Sequence, residues 1–137
     1  MKTKKEIGNI GEDIAEKYLK KRFWRILSRN YRVRGGEIDI IAYRLGTIAF
    51  FEVKSRSTDE FGRPSDAVDS EKTARIRTTA YNFLETYGSG SRIPVFYPFD
   101  VKKMRRIREK RIDVIEIYFT RDYKLQRLNH IKDWEQL

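Results

Sequence analysis

Two carboxylates, Asp39 and Glu52, stand in strongly apolar stretches near the middle of the chain. Asp39 lies within the apolar run 38–41, and Glu52 lies within the run 50–53. Burying an ionised carboxylate is costly unless a partner or a metal ion compensates its charge. A hard cation such as Mg²⁺ takes oxygen ligands, so the pair predicts a divalent metal site.

The two carboxylates face each other if the segments around them form a β-hairpin. Residues 37–43 and 47–54 are rich in β-branched and aromatic residues, which favour strands. Leu45-Gly46 between them suits a two-residue turn. With that turn Asp39 lies opposite Glu52, roughly 5 Å away at Cβ. A loop of odd length would place the two side chains on different faces.

The same residues also have an ordinary structural interpretation. Charged side chains on a strand usually mark its solvated face. The register that joins Asp39 to Glu52 also places Glu37 opposite Lys54, where the two could form a cross-strand salt bridge. The residues alone therefore leave a metal site and a solvated face as alternatives.

The elements around the hairpin indicate a mixed α/β fold in a single domain, 1–137. Their order, α-β-β-β-α-β-β-α, predicts a central mixed β-sheet flanked by helices. Helices are predicted where apolar residues recur at helical spacing. The predicted elements are a helix over 4–22, strands over 24–34, 37–43 and 47–54, a helix over 69–87, strands over 95–101 (interrupted at Pro98) and 112–119, and a helix over 125–137.

The chain is strongly basic, and its charge is clustered. The net charge is +10; residues 1–34 hold 11 basic and 4 acidic side chains, and residues 102–111 hold 7 and 1. Clustered cations release counterions when they meet a phosphate backbone, so nucleic acid is the expected partner. An anionic membrane surface and a solvated basic face are the alternatives.

Several other classes of protein lack support in the sequence. There is no cysteine, hence no disulfide or thiolate metal site. His130 is the only histidine, so histidine-based triads and His-metal nuclease motifs have no second partner; a structural place on the tail helix is expected for it. The charged N-terminus is not followed by an apolar run, and no stretch approaches the length of a membrane span. A cytoplasmic protein without membrane contact is therefore expected.

Several motifs together resemble one known family. The pattern Gly36-Glu37-Ile38-Asp39, followed after twelve intervening residues by Glu52-Val53-Lys54, is similar to the D…E-x-K core of the restriction-endonuclease-like nucleases. The chain resembles in particular the YraN-like family of bacterial proteins, which is similar to archaeal Holliday-junction resolvases. The resemblance spans residues 6–101, and the further motifs that carry it are Gly8-x-x-Gly11-Glu12-x-x-Ala15, Asn30-Tyr31-Arg32, Phe61-Gly62-x-Pro64, Lys72 and Phe99-Asp100-Val101.

The resemblance implies a restriction-endonuclease-like fold and metal-dependent, structure-selective cleavage of DNA. Asp39 and Glu52 would bind Mg²⁺ or Mn²⁺, and Lys54 would orient or activate the attacking water. Glu12 would complete the site, although an exposed helix carboxylate is the alternative for it. Because related resolvases act as dimers, a homodimer is expected.

Basic side chains are expected to hold phosphates without reading bases. Lys72 could equally be a solvated lysine at a helix start, and the basic 102–111 segment could be a DNA-gripping arm or a flexible loop. Two alternatives for the whole protein stay open: a non-catalytic nucleic-acid-binding or adaptor protein on a nuclease scaffold, and a protein-interaction domain whose charge is incidental. The predicted phosphate-binding residues are Arg29, Arg32, Arg34, Lys72, Lys102, Lys103, Arg105 and Arg106.

Overall fold

The structure is a computed structural model that describes residues 2–57 and 69–137. The predicted motif Phe61-Gly62-x-Pro64 lies outside the described residues. The elements are α1 (Lys4–Lys21), β1 (Arg25–Val33), β2 (Gly36–Arg44), β3 (Thr47–Ser57), α2 (Ser70–Tyr87), β4 (Arg92–Tyr97), β5 (Val101–Arg106), β6 (Glu109–Phe119) and β7 (Leu125–Gln136).

Five strands form one mixed sheet in the order β1-β2-β3-β6-β7. The β3–β6 pair is parallel, and the other pairs in this sheet are antiparallel. Strands β4 and β5 form a separate two-stranded antiparallel sheet. The predicted architecture, a central mixed sheet flanked by helices, is confirmed.

Each helix covers one face of the large sheet. Ile41 and Phe50 belong to the core that includes α2, whereas Ile40 and Phe51 belong to the core that includes α1. Because side chains alternate along a strand and both faces are buried, the paired segments 40–43 and 48–51 are apolar at every position. Asp39 and Glu52 adjoin these two apolar segments.

Helix α1 packs very closely on the end of β3. A Cβ atom added to Gly11 would overlap the Ser55 hydroxyl and lie 3.3 Å from the Ser55 Cβ, so a larger residue here would require the Ser55 side chain to move. The helix begins with a capping box in which Thr3 and Glu6 bond each other's backbone N–H groups. The close packing brings Glu12, the next residue after Gly11, to the end of the β2–β3 pair.

The C-terminal segment is a strand, so the predicted helix over 125–137 is wrong. Leu128, Ile131 and Trp134 recur every third residue, a spacing that imitates a helical period. In the structure, Ile131 and Trp134 reach the same core because the β6–β7 register shifts between them, where Asp133 has a φ of 58°. A β-bulge therefore produces the spacing that resembles a helix.

The region 95–111 also differs from the prediction. Instead of one strand interrupted at Pro98, two antiparallel strands, β4 and β5, are joined by a 3-10 turn at Pro98–Asp100. The basic segment expected over 102–111 is not a flexible loop, since its first half belongs to β5 and its end to β6. Within the described ranges, no helix is long and apolar enough to cross a membrane.

A buried polar network joins β6, β7 and α1. Asp113 is fully buried; it accepts hydrogen bonds from Arg111 Nε and from the backbone N–H of Asp133, both at 2.9 Å, and lies 2.8 Å from His130 Nε2. His130 Nδ1 lies 2.9 Å from the Tyr18 hydroxyl, so this histidine is on a strand and not on a helix. Burial alone would raise the pKa of Asp113, but the bonds with His130, Asp133 and Arg111 outweigh it and lower the pKa.

We expect Asp113→Asn to lower the free energy of unfolding by about 2 kcal/mol at pH 7, because hydrogen bonds to a charged group are lost in a buried place. A carboxylate with a lowered pKa stabilises the fold above its ordinary pKa, and this contribution is lost as the pH falls through the lowered value. Urea unfolding at pH 7 and pH 3 should show a smaller difference at pH 3. The exposed Asp122→Asn is the matched control, and equal losses in the two variants would contradict the expectation.

Candidate active site

The β2–β3 hairpin has the register that the sequence predicts. Arg44 pairs with Thr47, and the pairing continues to Ile40 and Phe51. The turn residues Leu45 and Gly46 both have positive φ, 47° and 89°, as in the tight turns that match the twist of a hairpin. Asp39 and Glu52 come next on the two strands, at the point where the pairing stops.

The backbone pairing of β2 with β3 stops because the Asp39 carboxylate takes the place of a backbone carbonyl oxygen as the acceptor. Its Oδ2 accepts a hydrogen bond from the Val53 N–H at 2.8 Å. On its other side Asp39 has no partner in the β1–β2 register, and Asn30, across from it, has a φ of 52°. Ile38 and Ile40 accordingly pack on opposite faces of the sheet, which breaks the usual alternation at Asp39. The kink directs the Asp39 carboxylate toward β3.

The Glu37–Lys54 salt bridge, the structural alternative that the register offered, does not form. Glu37 instead pairs with Arg32 at 3.3 Å, on the exposed side of the β1–β2 turn. The register cannot continue to this position because the kink at Asp39 ends it.

Glu52 is buried, with 6% of its surface exposed, and its Oε1 forms a hydrogen bond and ion pair with the Lys72 ammonium. Lys72 lies in the first turn of α2, which Asp69 caps by accepting a bond from the Lys72 N–H. Burial alone would lower the pKa of Lys72, but the bond with Glu52 and its negative charge raise it. Lys72 is therefore the cation that compensates this carboxylate.

Lys54 lies beside the same pair. Burial and, next, the positive charge of Lys72 lower the pKa of Lys54, against the opposing charge of Glu52. An ammonium with a lowered pKa releases its proton more readily than a solvated lysine. The predicted grouping of Asp39, Glu52 and Lys54 is thus present, with Lys72 as a fourth charged member.

Burial and the negative charges of neighbouring acids both act on the Asp39 carboxylate. Burial, and then the charge of Glu52, raise its pKa to about 7, against the bond from the Val53 N–H. The charges of Glu12 and Glu37 add smaller contributions in the same direction. Two carboxylates that repel each other in this way attract a cation.

The donors fit a hard divalent cation. Asp39 and Glu52 supply oxygen atoms, which Mg²⁺ and Mn²⁺ prefer, and Mg²⁺ is commonly held by one or two carboxylates together with water. In the described part of the chain, no three Asp, Glu, His or Cys side chains are grouped so that they could together bind a metal ion. Asp39 and Glu52 would therefore be the protein's principal ligands, with Glu52 sharing or leaving its contact with Lys72.

Glu12 lies at the edge of the same site. It is mostly buried, with 13% of its side chain exposed, and it pairs with Arg29 at 3.2 Å. Together with Asn30, Arg32 and Glu37 it borders a cleft of about 420 Å³. This position differs from that of a solvated helix carboxylate, and its charge reaches Asp39.

The predicted phosphate-binding residues fall into three groups. Arg29 faces α1, where Asp13 at 2.7 Å and Glu16 at 3.5 Å join Glu12 as its partners. Arg32 and Arg34 are exposed, and Arg32, Lys72 and Arg75 line a second cleft of about 400 Å³ next to the acid pair, whereas Arg34 is not among its lining residues.

The third group lies elsewhere in the fold, on β5: Lys102, Lys103, Arg105 and Arg106. These residues are not brought to the acid pair, because the end of β5 contacts the turn end of the hairpin. The Tyr43 hydroxyl donates to the Arg106 carbonyl oxygen at 2.9 Å. Asp39 lies roughly 17 Å from that end along β2.

Sequence reasoning missed one buried acid next to the site. Glu116 on β6 is the register partner of Lys54, is 5% exposed, and accepts a bond from the Asn129 side chain at 2.9 Å. Arg56 Nε lies 3.6 Å from its other oxygen. The signal was present, since Ile115-Glu116-Ile117 repeats the pattern of an acid between apolar neighbours.

Comparison with known proteins decides the family. The family model described as "Uncharacterised protein family UPF0102" matches residues 11–117. The chain belongs to UPF0102, the YraN-like family that its motifs resemble. A UPF0102 protein of Desulforamulus reducens is 36% identical over 131 residues, which cover 95% of either chain. One from Clostridium perfringens is 39% identical over 132 residues, covering 96% of this chain and 95% of the relative. These names carry no activity, so the function is argued from the site.

We expect Asp39→Asn to stabilise the protein in EDTA at pH 8 by about 1–3 kcal/mol. A carboxyl group whose pKa the fold raises costs stability once it ionises, and that cost grows as the pH rises from its ordinary pKa to about 7. The asparagine oxygen can still accept the Val53 N–H. Thermal unfolding at pH 4 and pH 8 tests this, with Glu85→Gln, an exposed acid near the end of α2, as control. The same effect at both pH values would contradict the expectation.

Proposed function

We propose that this protein is a metal-dependent, structure-selective endonuclease that hydrolyses phosphodiester bonds in DNA. One observation carries the proposal: Asp39 and Glu52 meet where the pairing of β2 with β3 stops, with Lys54 and Lys72 beside them. An acid pair that repels and a lysine with a lowered pKa are features of catalytic sites more often than of structural ones. The resemblance to the D…E-x-K core supports the same assignment.

Each residue of the site has a proposed role that follows from its position. Asp39 and Glu52 would hold Mg²⁺ or Mn²⁺, which when bound polarises the phosphoryl group and acidifies water. Lys54 would orient the attacking water and offset charge that develops on the phosphate oxygens. Glu12 would act through its charge at the edge of the site.

The surroundings favour the recognition of shape over sequence. Arg32, Lys72 and Arg75 line the cleft next to the acid pair, and cations at a groove contact phosphates, which carry no base information. Branched or ended DNA is the expected substrate. A branched molecule has two strands to cut, so a homodimer stays part of the proposal.

A second candidate is a non-catalytic nucleic-acid-binding or adaptor protein. The Lys72–Glu52 ion pair favours it, because Glu52 is already compensated without a metal ion. A nuclease scaffold does not by itself carry nuclease activity.

Cleavage of branched, flapped and linear DNA in Mg²⁺ or Mn²⁺ separates the two candidates. We expect cleavage by the unaltered protein, loss to background in Asp39→Asn and Glu52→Gln, and a fall of about 10²–10³-fold in Lys54→Met. Affinity for the same DNA should be kept, and Glu85→Gln, an exposed acid near the end of α2, should cleave normally. Binding without cleavage under either metal would favour the adaptor.

A further inference from the structure

A further cleft lies at the turn end of the β2–β3 hairpin, far from Asp39. Its volume is about 520 Å³, within the range of small-ligand sites. No acidic residue is among the described residues that line it. Its lining includes four arginines and two aromatic residues: Arg22, Arg25, Arg44, Arg105, Phe23 and Tyr97.

Aromatic rings hold the arginines of this cleft in place. The guanidinium carbons of Arg25 and Arg105 lie 4.8 and 5.3 Å from the centre of the Tyr97 ring, and Arg105 Nε donates to the Tyr97 hydroxyl at 2.9 Å. Arg44 lies 4.9 Å from the Trp24 ring. A cation over an aromatic face keeps its full charge. Since no acid stands among the described residues that line the cleft, the cleft is suited to an anionic ligand.

Two exposed apolar side chains flank these cations at unusual backbone positions. Phe23 is 84% exposed with a φ of 68°, and Leu45 is 90% exposed with a φ of 47°. The Phe23 position closes the end of α1, and the Leu45 position opens a tight turn; both conformations favour glycine or asparagine. Neither burial nor backbone preference explains large apolar residues there, and beside the cations of the cleft such side chains are suited to contact a ligand.

We propose that this cleft binds a single strand of nucleic acid, with phosphates on the arginines and a base stacked on the exposed ring of Phe23. Single-stranded sites combine a cationic groove with aromatic platforms, because every base offers a face for stacking. In a duplex those faces are already covered by neighbouring bases. A membrane surface fits less well, since the arginines line a concave cleft between the apolar residues.

This binding needs neither a metal ion nor Asp39, so the inference goes beyond the proposed cleavage. One consequence does rest on the proposed function: a substrate held at both ends of β2 would carry an unpaired strand next to the bond that is cut. Nucleic acid with a flap, a fork or a branch has that form.

The test measures fluorescence anisotropy of labelled oligo(dT) and of a duplex of equal length, in EDTA. We expect the single strand to bind more tightly than the duplex. Phe23→Asn should weaken the single-strand affinity at least fivefold, while its unfolding temperature stays the same or rises because asparagine suits the positive φ. Phe99→Asn is the matched control, because Phe99 is 97% exposed, has a φ of 65° and does not line the cleft.

A second pair of variants tests the charge. Arg25→Gln should weaken oligo(dT) binding and lower the slope of log affinity against log salt by about 0.7. The exposed Arg121→Gln, on the β6–β7 turn, should leave both unchanged.

Three results would overturn the inference: equal losses in Phe23→Asn and Phe99→Asn, equal affinity for single strand and duplex, or binding to phosphatidylserine vesicles without binding to oligo(dT). Asp39→Asn should keep its oligo(dT) affinity. Lost cleavage with intact strand binding would therefore count against the nuclease proposal only. Intact cleavage without strand binding would count against this inference only.

Discussion

Repulsion between Asp39 and Glu52 is the constraint around which the centre of this fold is arranged. Both carboxylates lie within strands and have apolar neighbours on either side, and Glu52 is only 6% exposed, so water compensates little of their charge. The cost is met in two ways: the Val53 N–H bonds Asp39, and the Lys72 ammonium pairs with Glu52. A site that needs a positive charge in order to be stable is also a site that can bind a metal ion and a phosphate beside it.

The rest of the fold keeps these groups in reach of one another. The tight hairpin turn sets the β2–β3 register, and the kink at Asp39 aims its carboxylate along the sheet. On one face the first turn of α2 delivers Lys72; on the other, the contact between Gly11 and Ser55 brings Glu12 to the edge of the site. The opposite end of the same hairpin carries a cleft of different chemistry, with cations and exposed rings but no acids in its described lining.

Much of this arrangement follows from local sequence, and the remainder depends on contacts that a sequence does not display. The β2–β3 register was predictable because a two-residue turn fixes it, and α2 because its apolar residues and its cap at Asp69 agree. The tail was mistaken for a helix because a β-bulge at Asp133 imitates helical spacing. The kink at Asp39 arises because its side chain takes the place of a backbone acceptor, and secondary-structure propensities do not predict such a contact. The pairing of Lys72 with Glu52 joins residues that only the packing of α2 on the sheet brings together.

A crystal of the protein soaked in Mn²⁺ tests the central claim most directly, because the anomalous signal of manganese locates the ion without reference to activity. If Asp39 and Glu52 form a metal site, an anomalous peak lies between their carboxylates. The Lys72 ammonium is then displaced from its present contact or shares Glu52 with the ion. No peak at that position, with the Lys72–Glu52 ion pair intact at saturating Mn²⁺, would contradict this claim and leave the acid pair as a structural feature.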